Sequence, residues 1–340
     1  MWLKGLDGIR ALCALFVLWG HMSQKDFVSW DITPLPLPEC AAYVFFAISG
    51  VLAGFRIDSV SSPGDYYKKK AFRILPLYYT YILLSIVVFL SLGRTSEVIN
   101  ARLPYYLFLV PSIPFVLSQG ILPLVHLWFI GTLILFYLFV PLLAKFNRRK
   151  QKILALVISA IWFAAKLLAR LFGHGAVYRL IGCTCFDVLC LGVWCGLQLK
   201  DGTSLGNVKA VLISVFTWGL FLLSGLYGHI IPALVRIEFV SVLALIIIVT
   251  QQRQKFCFFL ENKVARFLGG ISYEIYVVHI LVIILLSYVY QRLCLSTANW
   301  VIYLTSTLIV ILVSYLMKVG ISAVLKAYSC FVDSRQMFKS

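Results

Sequence analysis

The sequence is poor in charged residues. Only 13% of its 340 residues are charged, whereas 61% are hydrophobic, and the mean hydropathy is +0.95. A water-soluble domain usually carries about 25% charged residues, because its surface must be hydrated. This shortage excludes an ordinary soluble domain and indicates that most of the surface faces lipid.

Sequence patterns of common cofactor and metal sites are also missing. There is no Gly-rich phosphate loop and no internal repeat. The nine cysteines lie mostly within apolar runs, and the densest group lacks the paired C-x-x-C spacing of a zinc site. We therefore predict no metal site. That group is Cys183, Cys185, Cys190 and Cys195.

Apolar runs of about 20 residues, long enough to cross a bilayer, recur along the chain. In lipid the backbone must satisfy its own hydrogen bonds, and continuous Leu, Ile, Val and Phe without alternation favour helices over a barrel. The sequence thus predicts an all-α membrane protein of about ten transmembrane helices. The predicted spans are 6–22, 40–57, 74–93, 124–144, 153–172, 184–199, 210–227, 234–250, 267–288 and 299–317.

The net charge of +17 is distributed as in a membrane protein rather than a nucleic-acid-binding protein. With a cytoplasmic N-terminus, most basic residues outside the spans fall in cytoplasmic segments. The positive-inside rule then predicts that both termini are cytoplasmic and that the basic loops contact lipid headgroups. We predict no nucleic-acid partner. The basic residues of the opposite side are Lys25, Arg94, Arg102, Arg179 and Arg292.

The first apolar run and residues 103–123 could each be something other than a simple membrane span. The first apolar run has no small-residue cleavage pattern after it, so we expect it to remain as helix one. Residues 103–123 are apolar but contain four prolines, and we predict a re-entrant or interfacial segment on the outer side. We expect one transmembrane domain at 1–320 and a cytoplasmic tail at 321–340.

Ionisable groups inside a membrane are costly and are therefore site candidates. Arg10 and His21 are eleven residues apart, which places them about 20° apart on one helix face and about 16 Å apart along the axis. Asp7 can pair with Arg10 on that face. The alternative is an Arg that reaches the interface and a His that caps the helix end.

A basic cluster, YYKKKAFR, precedes the third predicted span. Lys69, Lys70 and Arg73 share one helix face by their spacing of three and four residues. Such a cluster can serve membrane topology alone. It can also bind an anionic cofactor such as coenzyme A through its phosphates.

Five segments together resemble the acyltransferase 3 family in their order along the chain. The first resembles the family's L-D-G-x-R opening, with a His eleven residues after the Arg. The others resemble its F-F-x-x-S-G-F, R-x-x-R-I-x-P-L-Y, W-[FY]-L and L-G-x-I-S-Y-x-L-Y-L-x-H segments. They are GLDGIRALCALFVLWGH (5–21), YVFFAISGVLAGF (43–55), KAFRILPLYY (70–79), HLWFIGTLILFYLFVPLL (126–143) and LGGISYEIYVVHILV (268–282).

The resemblance implies a ten-helix membrane acyltransferase, commonly one that O-acetylates bacterial surface glycans. By position it assigns Arg10 and His21 to the essential pair, and Lys70 and Arg73, with Lys69 beside them, to the acyl-CoA site. Lys70 departs from the family's Arg and offers a point charge rather than a bidentate fork. A second departure at 131–134 leaves no carboxylate to assign on the fourth predicted helix.

The resemblance also implies a reaction. Cytoplasmic acetyl-CoA would present its acyl group to His21, which acts as general base or transient acyl carrier. The acceptor would be a hydroxyl of an extracytoplasmic polysaccharide or lipid-linked saccharide, approaching near His126, Trp128 and Glu39. We therefore expect a bacterial cytoplasmic membrane.

The remaining intramembrane polar residues are expected to have auxiliary roles. Tyr276 and His279 share a face and would form hydrogen bonds between helices. Ser49 would serve helix packing. The competing function is a multi-spanning transporter or flippase of a lipid-linked glycan, against which stands the lack of inverted halves. A member of the family without activity that binds or senses is a third possibility.

Overall fold

The computed structural model describes residues 3, 5–24, 37–100, 102–117, 123–202, 242, 245, 258–293 and 299–337. Within these ranges the protein is helical and contains no β-strand. This confirms the predicted all-α class.

Fourteen helices are described, numbered here in chain order. Short 3₁₀ turns at Ile57–Ser59 and Val125–Leu127 precede α3 and α7 respectively. The helices are α1 Leu6–Gln24, α2 Leu37–Phe55, α3 Pro63–Ser91, α4 Thr95–Ile99, α5 Leu103–Leu107, α6 Ser112–Val116, α7 Trp128–Ala144, α8 Arg148–Leu171, α9 Gly175–Thr184, α10 Phe186–Lys200, α11 Phe258–Glu261, α12 Lys263–Gly270, α13 Ser272–Arg292 and α14 Asn299–Met337.

Seven helical segments among the described residues are long and apolar enough to cross a membrane. Helix α1 is not one of these seven, and it carries Asp7 and Arg10 near its start. The predicted span 210–227 and all of the predicted span 234–250 except residues 242 and 245 lie outside the described residues, so the total of ten stays a prediction. The seven are Pro38–Phe55, Pro63–Ser91, Val125–Ala144, Arg148–Leu171, Gly175–Lys200, Ser272–Arg292 and Trp300–Cys330.

Helices α2 and α10 pack with their backbones in close contact. A Cβ added to Gly50 would collide with the Leu189 carbonyl oxygen, and one added to Gly192 would collide with that of Ala47. Each helix repeats the arrangement one turn further on, at Gly54 and Gly196. Small residues at four-residue spacing permit this approach in membranes, where the fit of the two surfaces provides much of the attraction.

The described part of the proline-rich segment 103–123, residues 103–117 and 123, contains the short helices α5 and α6. Tyrosine hydroxyls of α3 donate hydrogen bonds to its backbone: Tyr78 to the Tyr106 carbonyl at 2.8 Å, and Tyr81 to that of Pro123 at 3.1 Å. Where water is absent, backbone carbonyls that lack a hydrogen bond within a helix need donors from side chains. The run of tyrosines in α3 therefore supports the irregular segment.

The last helix is longer than its predicted span of 299–317. Helix α14 has 39 residues and continues through the predicted tail to Met337. At 1.5 Å per residue it is about 58 Å long, roughly twice the thickness of the hydrocarbon core.

Ion pairs connect the turn after α2 to α8 and α10. Asp58 receives Arg148 at 2.7 Å and Lys200 at 2.6 Å, and Asp201 pairs with Lys152 at 2.6 Å. The hydrogen bond from Lys200, followed by the charge and hydrogen bond of Arg148, holds the pKa of the Asp58 carboxyl below its usual value. These contacts fix the turn at one end of the bundle.

Candidate active site

A cavity of about 320 Å³ lies at this end, between α1, α2, α3, α7 and α13. Five basic side chains and one carboxylate, that of Asp65, line it. The excess of positive charge suits an anionic ligand. The basic residues are Arg10, Arg56, Lys69, Lys70 and Arg73.

Arg10 reaches the cavity from the first turns of α1. Its guanidinium Nη1 lies 3.5 Å from the Asp7 carboxylate, as the spacing of three residues predicts. Glu274 of α13 is within electrostatic range of Arg10 and Arg73. Acidic groups thus balance part of the charge, while Arg10 remains part of the cavity wall.

Lys70 is held between two tyrosine rings. Its Nζ lies 3.9 Å from the ring centre of Tyr137 on α7 and 5.3 Å from that of Tyr66, one turn earlier on α3. An ammonium group is attracted to the electron-rich face of an aromatic ring. The tyrosines therefore position a lysine where the family pattern has an arginine.

The start of α3 adds polar groups that the sequence analysis did not assign. Ser62 caps the helix, accepting a hydrogen bond from the Asp65 amide at 3.5 Å, and Pro63 occupies the first turn. Ser59, Ser61, Ser62 and Arg56 line the cavity beside the predicted Lys69 and Lys70. Arg56 directly follows α2, and only a short segment separates it from the basic cluster of α3. This closeness in sequence is a signal that Arg56 could belong to the same site.

Three of the five histidines meet where α1 and α13 approach the 3₁₀ turn before α7. The ring centre of His279 lies 5.0 Å from that of His21 and 5.1 Å from that of His126. His279 is fully buried, and its Nε2 is 3.3 Å from Nδ1 of His21. The sequence assigned these residues to three separate roles, and the structure groups them.

Backbone carbonyls fix the tautomers of this group, because a carbonyl can only accept a hydrogen bond. Nδ1 of His21 therefore carries hydrogen and donates to the Val17 carbonyl at 2.8 Å. Nδ1 of His279 likewise donates to the Tyr276 carbonyl at 2.7 Å. In the neutral rings Nε2 of both residues then carries the lone pair.

Tyr276 joins the cavity to the histidine group. It lines the cavity, and its hydroxyl donates a hydrogen bond of 2.5 Å to the His126 carbonyl. Phe129 packs against it at 4.6 Å between ring centres and also lines the cavity. Tyr276 thus contacts both groups, since its ring centre lies 5.6 Å from that of His126 and 5.9 Å from that of His279.

The other predicted site residues lie in different surroundings. Ser49 lines the cavity, while Trp128 stacks on Phe115 at 5.2 Å between ring centres. Glu39 is half-buried in the first turn of α2. Trp128 and Glu39 do not line this cavity, and their predicted contact with the acceptor on the outer side stays a prediction.

Comparison with protein families assigns the chain to a known family. The acyltransferase domain family Acyl_transf_3 matches residues 3–319, nearly the whole chain. The protein belongs to this family of membrane acyltransferases, as the five sequence segments predicted. Comparisons with curated proteins and with solved structures gave no match.

Proposed function

We propose that this protein transfers an acyl group, most simply acetyl, from cytoplasmic acyl-CoA to a saccharide hydroxyl outside the cytoplasm. The observation that carries the proposal is the pairing of a cavity rich in cations with a histidine group one residue layer away. A membrane acyltransferase needs a site for an anionic donor and a base for a hydroxyl, and these two groups of residues supply both.

The donor site is the cavity. Coenzyme A carries several phosphate charges, which Lys69, Lys70 and Arg73 neutralise at the start of α3. Arg10 and Arg56 add positive charge from α1 and the end of α2. The pantetheine arm then extends along α1 towards His21, about 16 Å away along the helix axis.

His21 supplies the chemistry in this proposal. Its Nε2 accepts the proton of the acceptor hydroxyl, whose oxygen bonds to the thioester carbonyl carbon. The C–S bond breaks, the acyl group is now an ester, and the coenzyme A thiolate takes up a proton. In the covalent variant Nε2 attacks the thioester first, and the sugar hydroxyl then displaces imidazole.

The acceptor reaches the histidines from the side opposite the donor. His126 lies in that group, whereas Trp128 and Glu39 are proposed contacts further out. Tyr276 and Phe129 form the layer through which the acyl arm must pass. A polysaccharide or lipid-linked saccharide of a bacterial cell envelope has hydroxyls of the required kind.

Transfer of label from [¹⁴C]acetyl-CoA tests this function in membranes that contain the protein. We expect wild-type protein to place alkali-labile label in the saccharide fraction, and we expect His21→Gln to reduce it by about 10² to 10⁴. His174→Gln, which changes an exposed histidine of the α8–α9 turn, is the matched control. Equal transfer by wild type and His21→Gln at equal expression excludes the proposed role of His21.

His279 acts as a positioning residue in this scheme. Its Nε2 lies 3.3 Å from Nδ1 of His21 and is the second, longer acceptor for the hydrogen that His21 donates to the Val17 carbonyl at 2.8 Å. His279→Leu removes this second acceptor, whereas His279→Gln can restore one through its amide oxygen. One hydrogen bond of about 1 kcal/mol predicts a loss of roughly fivefold in the maximal rate for Leu and partial recovery for Gln. Equal rates for the two variants contradict this role.

A further inference from the structure

A second groove, of about 400 Å³, lies between α12 and α14. Arg266 and Lys318 contribute positive charge from opposite walls, and Ser322 adds a hydroxyl. Phe267 of α12 and Tyr315 of α14 form an apolar wall where the two helices meet, with their ring centres 5.8 Å apart. The groove thus combines two cations and a hydroxyl with exposed apolar side chains.

Helix α12 presents different residues to the protein and to its surroundings. Gly269 packs so closely on α1 that an added Cβ would collide with the Asp7 backbone. Val264 and Phe267 are 66% and 45% exposed, and Arg266 is exposed as well. A short helix with basic and apolar residues on its outer face is typical of a membrane interface.

The position of the groove along α14 agrees with such an interface. Tyr315 and Ser322 are 15 and 22 residues beyond Trp300, where the candidate span begins. These separations correspond to about 23 and 33 Å of helix, close to the thickness of the hydrocarbon core. A hydrocarbon core that begins at Trp300 would therefore end near Lys318, about 27 Å along the helix, with its ammonium group close to the headgroups and the aromatic rings in the apolar layer.

Lys318 retains the capacity to bind an anion. Its Nζ donates one hydrogen bond of 2.6 Å to the Gly270 carbonyl, and an ammonium group has three N–H donors. Glu274 is within electrostatic range of Lys318. Among the described residues that line the groove there is no carboxylate.

We propose that this groove binds an anionic phospholipid, with its phosphate on Arg266 and Lys318 and its acyl chain along Phe267 and Tyr315. Basic pockets between helices at a membrane surface recognise such headgroups. A soluble phosphate would satisfy the cations but would leave the apolar wall uncovered. This proposal is independent of the acyl-transfer reaction.

Retention of phosphatidylglycerol on purified full-length protein, measured by native mass spectrometry with phosphatidylcholine as reference, tests the site. We expect Arg266→Gln/Lys318→Gln to weaken phosphatidylglycerol binding by about tenfold or more. Arg149→Gln/Lys150→Gln removes the same charge from exposed residues of α8 and is the matched control. Ser322→Trp fills the groove without a change of charge and should also weaken binding.

An equal loss of phosphatidylglycerol binding in the two double variants would overturn the proposal. The lipid would then be attracted by the overall positive charge of the protein rather than by this groove. Full displacement of the lipid by glycerol phosphate at equal concentration would also overturn it, since the ligand would then be a soluble anion. Unchanged binding in Ser322→Trp would show that the lipid lies elsewhere. A selective loss in the groove variants supports the site.

Discussion

At the scale of single residues, Lys70 is the predicted donor-site residue that differs from the family pattern, which has an arginine at this position. Its ammonium lies over the rings of Tyr137 and Tyr66 in the cavity. We predict that Lys70→Met, which keeps the length of the side chain and removes the charge, raises the KM for acetyl-CoA by about tenfold, as loss of one charge-assisted contact implies. Initial rates over a range of donor concentrations measure this change.

Lys68→Met is the matched control for this prediction. Lys68 is exposed on the same helix and does not line the cavity. Its donor KM should stay within about twofold of wild type, since a single exposed charge far from the ligand contributes little. A tenfold rise in both variants would mean that α3 attracts the donor only through its overall charge.

The sequence predicted the residues of this site that one helix brings together, but not those that meet through the fold. Lys69, Lys70 and Arg73 all line the cavity from α3, as their spacing on one helix face suggests. The common role of Arg10 and His21 on α1 stays a prediction, since Arg10 lines the cavity and His21 lies with His279. Tyr137 and His279 reach their partners from other helices. The spacing of residues along one helix does not predict contacts between helices. The family resemblance pointed to His279 but not to the residues that it contacts.

At the scale of helices, the contact between α2 and α10 should limit stability. We predict that Gly192→Val lowers the free energy of unfolding by about 1–3 kcal/mol or more, because its side chain must displace the backbone of α2. Gly175→Ala at the start of α9 adds a Cβ in open space and should change little. Thermal unfolding in detergent compares the two variants, and equal melting temperatures would contradict this explanation of the glycines.

The turn that borders the cavity should respond to pH through Asp58. Its ion pairs lower the carboxyl pKa in the folded state, so their stabilisation is complete above the unfolded value of about 3.9 and is lost as pH falls through the folded value. We predict that Asp58→Asn unfolds at a lower temperature than wild type at neutral pH. The difference should narrow as pH falls below about 4, and a constant difference would exclude titration of Asp58.

Helix boundaries were less predictable than helix identity. Hydropathy suggested that the third span begins at residue 74, whereas α3 begins at Pro63 with Ser62 as its cap. Its first turns carry the basic cluster, which a hydropathy window excludes even though the backbone stays helical. The same bias towards apolar residues shortened the last span, because α14 remains helical beyond the apolar segment.

At the scale of the whole molecule, the basic features collect at one end of the bundle. Glu274 is within electrostatic range of Arg10 and Arg73 in the cavity and of Lys318 in the groove. The Asp58 turn, with its ion pairs to α8 and α10, borders the same cavity. The positive-inside rule assigns such an end to the cytoplasm, which is also where acyl-CoA is available.

Cys330 offers a direct test of this orientation. It is exposed on α14, 30 residues beyond Trp300, where the candidate span begins. The corresponding length of about 45 Å places Cys330 past the hydrocarbon core. We predict that a membrane-impermeant maleimide labels Cys330 in inside-out vesicles and does not label it in intact cells.

The variant Cys330→Ser separates this signal from the labelling of the other cysteines, since only the difference between variant and wild type reports on residue 330. Loss of label in the variant, seen only with inside-out vesicles, places the C-terminus and the basic end on the cytoplasmic side. Labelling of Cys330 from outside intact cells would reverse the orientation. The cavity would then open away from cytoplasmic acyl-CoA, and the proposed direction of transfer would be wrong even though the family assignment would stand.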